Sequence, residues 1–247
     1  MKHRFNSNAL YRLGWYALSV LVLLTSLGAQ QVTVTAQVDV AKTPSHTKSR
    51  QASSIVVWLK PAGASDPQVV LEGPRPQALL AQKNKSFEPH LLVIQVGTVV
   101  DFPNHDPFFH NVFSLYDGKR FDLGLYEAGS TRHVRFDRPG VCYIFCNIHP
   151  EMSAVVVVLD TPYYGIANAS GNITIPNVPP GRYLMHVWDE RSVPGSLDKL
   201  TREVVVSGEK QFLGTIHVTE NDVTATHKNK YGRDYENPTS SPVYVQP

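Results

Sequence analysis

The feature that most restricts how this chain can fold is a succession of short β-branched and aromatic runs, each closed by Gly, Pro or Asx turn residues. The first series lies at residues 31–40, 54–60, 91–96, 98–102, 110–115, 131–136, 141–146 and 154–160. No run continues with the three-to-four-residue spacing of an apolar helix face. Short strands with turn signals between them indicate an all-β sandwich. A second series follows Thr161-Pro162, at residues 163–167, 172–175, 182–188, 201–207 and 211–218, and predicts a second, smaller β-sandwich.

The expected division is residues 1–29, 30–76, 77–160, 161–220 and 221–247. The strands at 31–40 and 54–60 can complete the second sandwich, pair with the first, or bridge the two. Residues 221–247 are polar, with several Asn, Lys and Pro, and are expected to be a disordered tail without function. At the other end, Lys2, Arg4 and Arg12 precede an apolar run over 15–24 and the small residues Ser26, Gly28 and Ala29. That pattern is a secretory signal peptide, so the protein is expected to be periplasmic or secreted, and at a membrane only if the signal stays uncleaved. A formal charge of +2, without a basic stripe, excludes a nucleic-acid partner.

Two cysteines in an exported chain invite a disulfide. Cys142 and Cys146 lie four residues apart in one extended run, so their Cα atoms are ~13 Å apart. A disulfide spans less than ~7 Å. Both thiols are therefore reduced or metal-bound. Cys146-Asn147-Ile148-His149-Pro150-Glu151-Met152, with His110 upstream in Phe108-Phe109-His110-Asn111-Val112-Phe113, supplies a thiolate, two imidazoles and a thioether. A His₂Cys set with a weak axial Met favours a copper ion that cycles between two oxidation states, although zinc accepts the same donors. One-electron transfer is the expected chemistry. No nucleophile with a credible base is present, so an enzyme is not expected. Pro150 stiffens the loop, its φ being fixed. His105 sits in Asn104-His105-Asp106-Pro107, which is turn chemistry. His90, His133, His186 and His217 lack a neighbouring thiolate and read as ordinary structural or surface residues.

From Phe87-Glu88-Pro89-His90 through Gly97-Thr98-Val99-Val100-Asp101-Phe102-Pro103-Asn104 to Met152, the chain resembles the cupredoxin (blue copper) family. Among its members, the short Cys-x-x-His-Pro-x-Met loop most resembles amicyanin. The resemblance implies a Greek-key sandwich holding one type 1 copper ion, with His110, Cys146 and His149 as equatorial ligands and Met152 axial. It also implies that Asn111 ties its strand to Asn147, and that a redox partner docks weakly on an apolar collar of Pro107, Phe108, Phe109 and Pro150 around His149. The Cys142-x₃-Cys146 spacing resembles the dinuclear copper loop of cytochrome oxidase subunit II, but the following His is one residue too near. Residues 169–183, with Ser170-Gly171 and Pro179-Pro180-Gly181 turns, resemble a carboxypeptidase-regulatory-like (transthyretin-like) β-module, mostly an accessory unit. The alternatives to electron transfer are copper storage without redox turnover, and a cell-surface binding protein whose cupredoxin unit is structural.

Overall fold

The computed structural model describes residues 31–41, 54–63, 77–115, 118–193, 195–208, 210–220 and 227–235. The expected signal peptide (1–29), most of the loop after the first strand, and residues 221–226 and 236–247 lie outside the described residues. The described chain holds no α-helix, and none of its helices is long and apolar enough to cross a membrane. It is built as two β-sandwiches.

The first sandwich packs a three-stranded sheet against a five-stranded one. The smaller contains β3 (Gln77–Leu79), β7 (Val99–Pro103) and β10 (Thr131–Arg135), in the order β10-β7-β3. The larger runs β6-β12-β11-β8-β9, from β6 (Leu91–Gln95), β8 (His110–Ser114), β9 (Phe121–Tyr126), β11 (Gly140–Phe145) and β12 (Ser153–Leu159). Between them lie Phe87, Val100, Phe102, Val112, Phe136, Ile144, Val156 and Val158. A hairpin of β4 (Ala81–Lys83) and β5 (Ser86–Glu88) adjoins this core.

The second sandwich is discontinuous in sequence. β1 (Val32–Ala41) is the middle strand of one sheet, flanked by β14 (Asn172–Val178) and β17 (Lys210–Thr219). β2 (Val56–Pro61) lies between β13 (Tyr164–Ile166) and β15 (Gly181–Trp188), with β16 (Arg202–Val206) at the edge. The residues from 30 to 76 thus supply two inner strands to the later module, and the first sandwich is inserted between them and the remainder. Alternation on β1 carries Val32, Val34, Ala36 and Val38 into that core.

β12 explains how the two sandwiches meet. Its burial is nearly continuous because it faces apolar layers on both sides. Ala154, Val156 and Val158 enter the first core, while Val155, Val157 and Leu159 pack with Val56 and Trp188 of the second module. At the edge of this contact His90 bridges the modules. Its Nε2 is 2.7 Å from the Glu190 carboxylate and its Nδ1 is 3.1 Å from the Ser153 carbonyl. Both ring nitrogens therefore face acceptors. The Glu190 hydrogen bond outweighs burial and raises the His90 pKa above its ordinary value.

Because the folded pKa is raised, the stabilisation is complete below the unfolded value of about 6.5 and is lost as pH rises through the folded one. The thermal unfolding temperature of His90→Ala should accordingly fall below that of the unmodified protein in mildly acidic buffer, with the gap closing in alkaline buffer.

Candidate metal centre

Three donor atoms converge at one end of the first sandwich. His110 opens β8, Cys146 directly follows β11, and His149 lies in the loop leading to β12. The Cys146 Sγ is 3.7 Å from His110 Nδ1 and 3.6 Å from His149 Nδ1, and the two nitrogens are 3.1 Å apart. Among the described residues this is the one group of three such side chains close enough to hold a metal ion.

The local sequence builds this convergence in a few steps. The β11–β12 ladder ends at the Phe145–Ser153 pair. Across the remaining gap the Cys146 N–H donates to the Met152 carbonyl at 3.3 Å, and the Met152 N–H donates to the His149 carbonyl at 3.1 Å. The loop is thus closed on itself, and Met152 is fully buried in the same core cluster as Cys146. Burial pushes the Cys146 thiol up, opposed by N–H groups of Asn111, Ile148 and His149 that donate to the sulfur. Those donors stabilise the thiolate once its proton leaves.

His110 is oriented by a residue that the donor pattern in the sequence does not single out. Its Nε2 is 2.8 Å from the Asp106 carboxylate, and both side chains are buried. The carboxylate can only accept, so Nε2 carries the proton and Nδ1 turns its lone pair toward Cys146. Asp106 in turn accepts from the Asn84 N–H at 2.6 Å and the Lys85 N–H at 2.9 Å. Asn84 and Lys85 both have positive φ, 54° and 55°, the mirror-turn geometry of a tight hairpin, which aims both amides at the carboxylate. Burial would push the Asp106 carboxyl up. The bonds from Lys85, His110 and Asn84 together overcome it and hold the group below the usual carboxylate range. Asn104 braces the same loop, accepting from the Asp106 N–H at 3.0 Å and donating to the Phe108 carbonyl at 2.8 Å. An acid four residues before a candidate ligand, in an Asn-x-Asp turn, is the sequence signal for this arrangement.

His149 is half-buried. Burial lowers its pKa and the adjacent His110 adds to the effect, against the Glu151 carboxylate, so a neutral imidazole is favoured. The Phe108 ring packs on both imidazoles, with centroids 5.1 Å from His110 and 5.6 Å from His149. Phe109 and Ile148 are exposed.

These atoms fit a single cation. A lone pair on His110 Nδ1, a second imidazole nitrogen 3.1 Å away and a sulfur nearly equidistant from both leave a cluster of acceptors around one point. Bonds of about 2.0–2.3 Å from nitrogen and sulfur to one ion set such donors ~3–4 Å apart. Cys142 does not join them. Its thiol is free and buried, and a Cβ on Gly118 would lie 2.7 Å from its sulfur. Burial pushes its pKa up to about 11, as for a structural thiol. His105 is exposed and lies outside the group, its N–H donating to the Gln82 carbonyl.

Two expectations are corrected. Asn111 does not bond Asn147: its side-chain amide donates to Asp122 at 2.7 Å, because the bulge between β8 and β9 brings that carboxylate beside it. The Asn147 side chain instead accepts from the Lys230 N–H at 3.0 Å. Residues 227–235, expected within a structureless tail, form a compact loop against the Cys146–Met152 turn. Their aromatic and Asn-x-x-Gly content, unusual in so polar a stretch, is the signal that composition averaged away.

No protein-family model matches the chain, and no curated protein does. Solved structures that resemble part of it are a reduced single-residue variant of amicyanin (21% identity, 36% of this chain and 87% of the other, TM-score 0.33); a purple cupredoxin from Nitrosopumilus maritimus (28%, 34% and 99%, TM-score 0.30); and a copper-containing nitrite reductase from Thermus scotoductus (23%, 49% and 28%, TM-score 0.33).

Asp106→Asn should weaken metal affinity about 10- to 100-fold, since it leaves His110 oriented by a neutral group and opposes an amide N–H₂ to backbone donors. Chelator competition measures this. Metal uptake at neutral pH should release about one proton per ion, from Cys146 and not from the already neutral His149, as seen by calorimetry in buffers of different ionisation enthalpy.

Proposed function

We propose that the first sandwich is a site for one copper ion, which His110, Cys146 and His149 would hold together with the Met152 thioether, and that the protein relays single electrons. The observation that carries this reading is the 3.1 Å approach of two imidazole nitrogens beside a buried cysteine sulfur. Thiolate with imidazole is a donor set that suits copper, and the ion when bound would supply reversible one-electron chemistry.

The protein's contribution is to hold the donors still. His110 is fixed by Asp106, Cys146 by three N–H groups, and His149 by the self-closed loop and Phe108. Donors that cannot move when the charge changes keep the cost of each electron step small. Water is kept from the sulfur, since Cys146, His110 and Met152 are buried. The half-exposed His149, with Phe108, Phe109 and Ile148 around it, forms the surface on which a redox partner would dock, consistent with the small interfaces of transient electron-transfer encounters. Export through the expected signal peptide would put the protein in the periplasm or outside the cell, and the second sandwich would act as an accessory or docking unit.

Adding Cu(II) to the purified protein should produce an intense visible thiolate-to-copper band at a stoichiometry of about one ion per chain. The Cys142→Ser variant should keep both band and stoichiometry, whereas Cys146→Ala should lose the band. Retention of colour and affinity by Cys146→Ala would overturn the assignment.

A further inference from the structure

The outer surface of the ligand loop is gripped by residues 227–235. Tyr235 donates its hydroxyl proton to the Cys146 carbonyl at 2.7 Å. The His227 ring stacks on Phe145, with centroids 4.0 Å apart and planes at 21°, and its Nε2–H donates to the Pro150 carbonyl at 2.7 Å. The His227 and Tyr235 rings also meet edge-on, with centroids 5.2 Å apart and planes at 86°, so the two side chains pack against each other. Between them the Lys230 N–H donates to Asn147, and its ammonium pairs with Asp122 on β9 at 2.7 Å.

This loop carries its own order. The Asn229 side chain accepts from the N–H groups of Tyr231 and Arg233, the Gly232 N–H donates to the Asn229 carbonyl, and Gly232 takes the positive φ of 74° that the reversal requires. A segment ordered before it docks loses little entropy on docking. Its contacts fall on the residue before the candidate thiolate, on the carbonyl of the thiolate residue, on the residue after it, and on the residue after His149. Of the residues touched, only Cys146 belongs to a core cluster, and it is met at its backbone carbonyl.

We propose that residues 227–235 are a clasp that holds the ligand loop in its metal-binding shape. His227 and Tyr235 are positioning residues that act on Cys146 and His149 through the carbonyls of Cys146 and Pro150. The clasp rests on the reading of this loop as a metal site, but its effect on the loop exists without metal. The loop is otherwise closed by two backbone hydrogen bonds of its own, at 3.3 and 3.1 Å. The added bonds from outside raise the cost of opening it, and opening is what must precede exchange of the buried amides or escape of an ion held by Cys146.

The test uses the full-length protein and its Tyr235→Phe and His227→Ala variants. In metal-free protein, hydrogen exchange of the amides of residues 146–152 should speed up about fivefold in each variant, one net hydrogen bond being lost, with thermal unfolding of the sandwiches unchanged. In the Cu(I)-loaded protein, transfer of the ion to a competing chelator should accelerate by a similar factor, and the visible band of the Cu(II) form should shift. Lys230→Ala, which removes the Asp122 anchor without touching the loop's carbonyls, should act in the same direction. Unchanged exchange at residues 146–152 in both principal variants would overturn the clasp. Failure of the unmodified protein to bind copper would overturn the metal assignment and leave the exchange result to decide the clasp.

Discussion

Burial of one strand on both faces is the constraint on which the rest of the structure depends. β12 alternates Ala154, Val156 and Val158 toward the first core with Val155, Val157 and Leu159 toward the second module. Fully burying a Val or Leu side chain contributes about 1.5–3 kcal/mol, so a one-residue slip of β12 would exchange two sets of contacts at once. Register is therefore held tightly along the β11–β12 ladder from Gly140–Val158 to Phe145–Ser153. The loop that carries Cys146 and His149 begins where that ladder stops. A turn whose two ends are fixed in this way presents Cys146 and His149 in the same place each time the chain folds.

The polar part of the centre follows the same logic by different means. His110 is buried and would be free to take either tautomer were it not for Asp106. A buried carboxylate is tolerated only when its lone pairs are used, and here the Asn84 and Lys85 amides and the His110 ring use them. Two separate segments, the β4–β5 turn and the 104–108 loop that leads into β8, thereby fix one proton on one nitrogen. Cys142 shows the contrast: a thiol within β11, buried away from the group of donors around Cys146, is driven toward its neutral form.

Much of the architecture was legible in the chain. The strands at 91–96, 98–102, 131–136 and 154–160 announce themselves because β-branched runs bounded by turn residues have few other folds open to them, and β6, β7, β10 and β12 occupy those places. β9 was not legible. Its Asp122 and Gly124 break the apolar alternation, and it is a strand because β8 needs a partner on that side. The three-residue strands β3, β4 and β5 are too short to carry a period at all. β1 and β2 were visible as strands, but their sheet was not, since pairing partners lie more than a hundred residues away in β14, β15 and β17.

At the centre, the sequence alone determined which candidate donors are available: a Cys, two His and a Met in an order and spacing that a strand and a tight turn can gather, and two cysteines too far apart along one strand to bond. Residue type and local reach settle those points, because both are properties of a few neighbouring residues. Only the tertiary structure decided what surrounds the donors. It gave His110 to Asp106, gave the Asn111 side chain to Asp122 in place of Asn147, and laid His227 and Tyr235 across the back of the loop. The His227 and Tyr235 bonds join groups some eighty residues apart, and no local pattern encodes that meeting, whereas the Asp106 and Asn111 bonds join near neighbours in the chain whose pairing is set by how the 104–108 turn and the β8–β9 bulge fold.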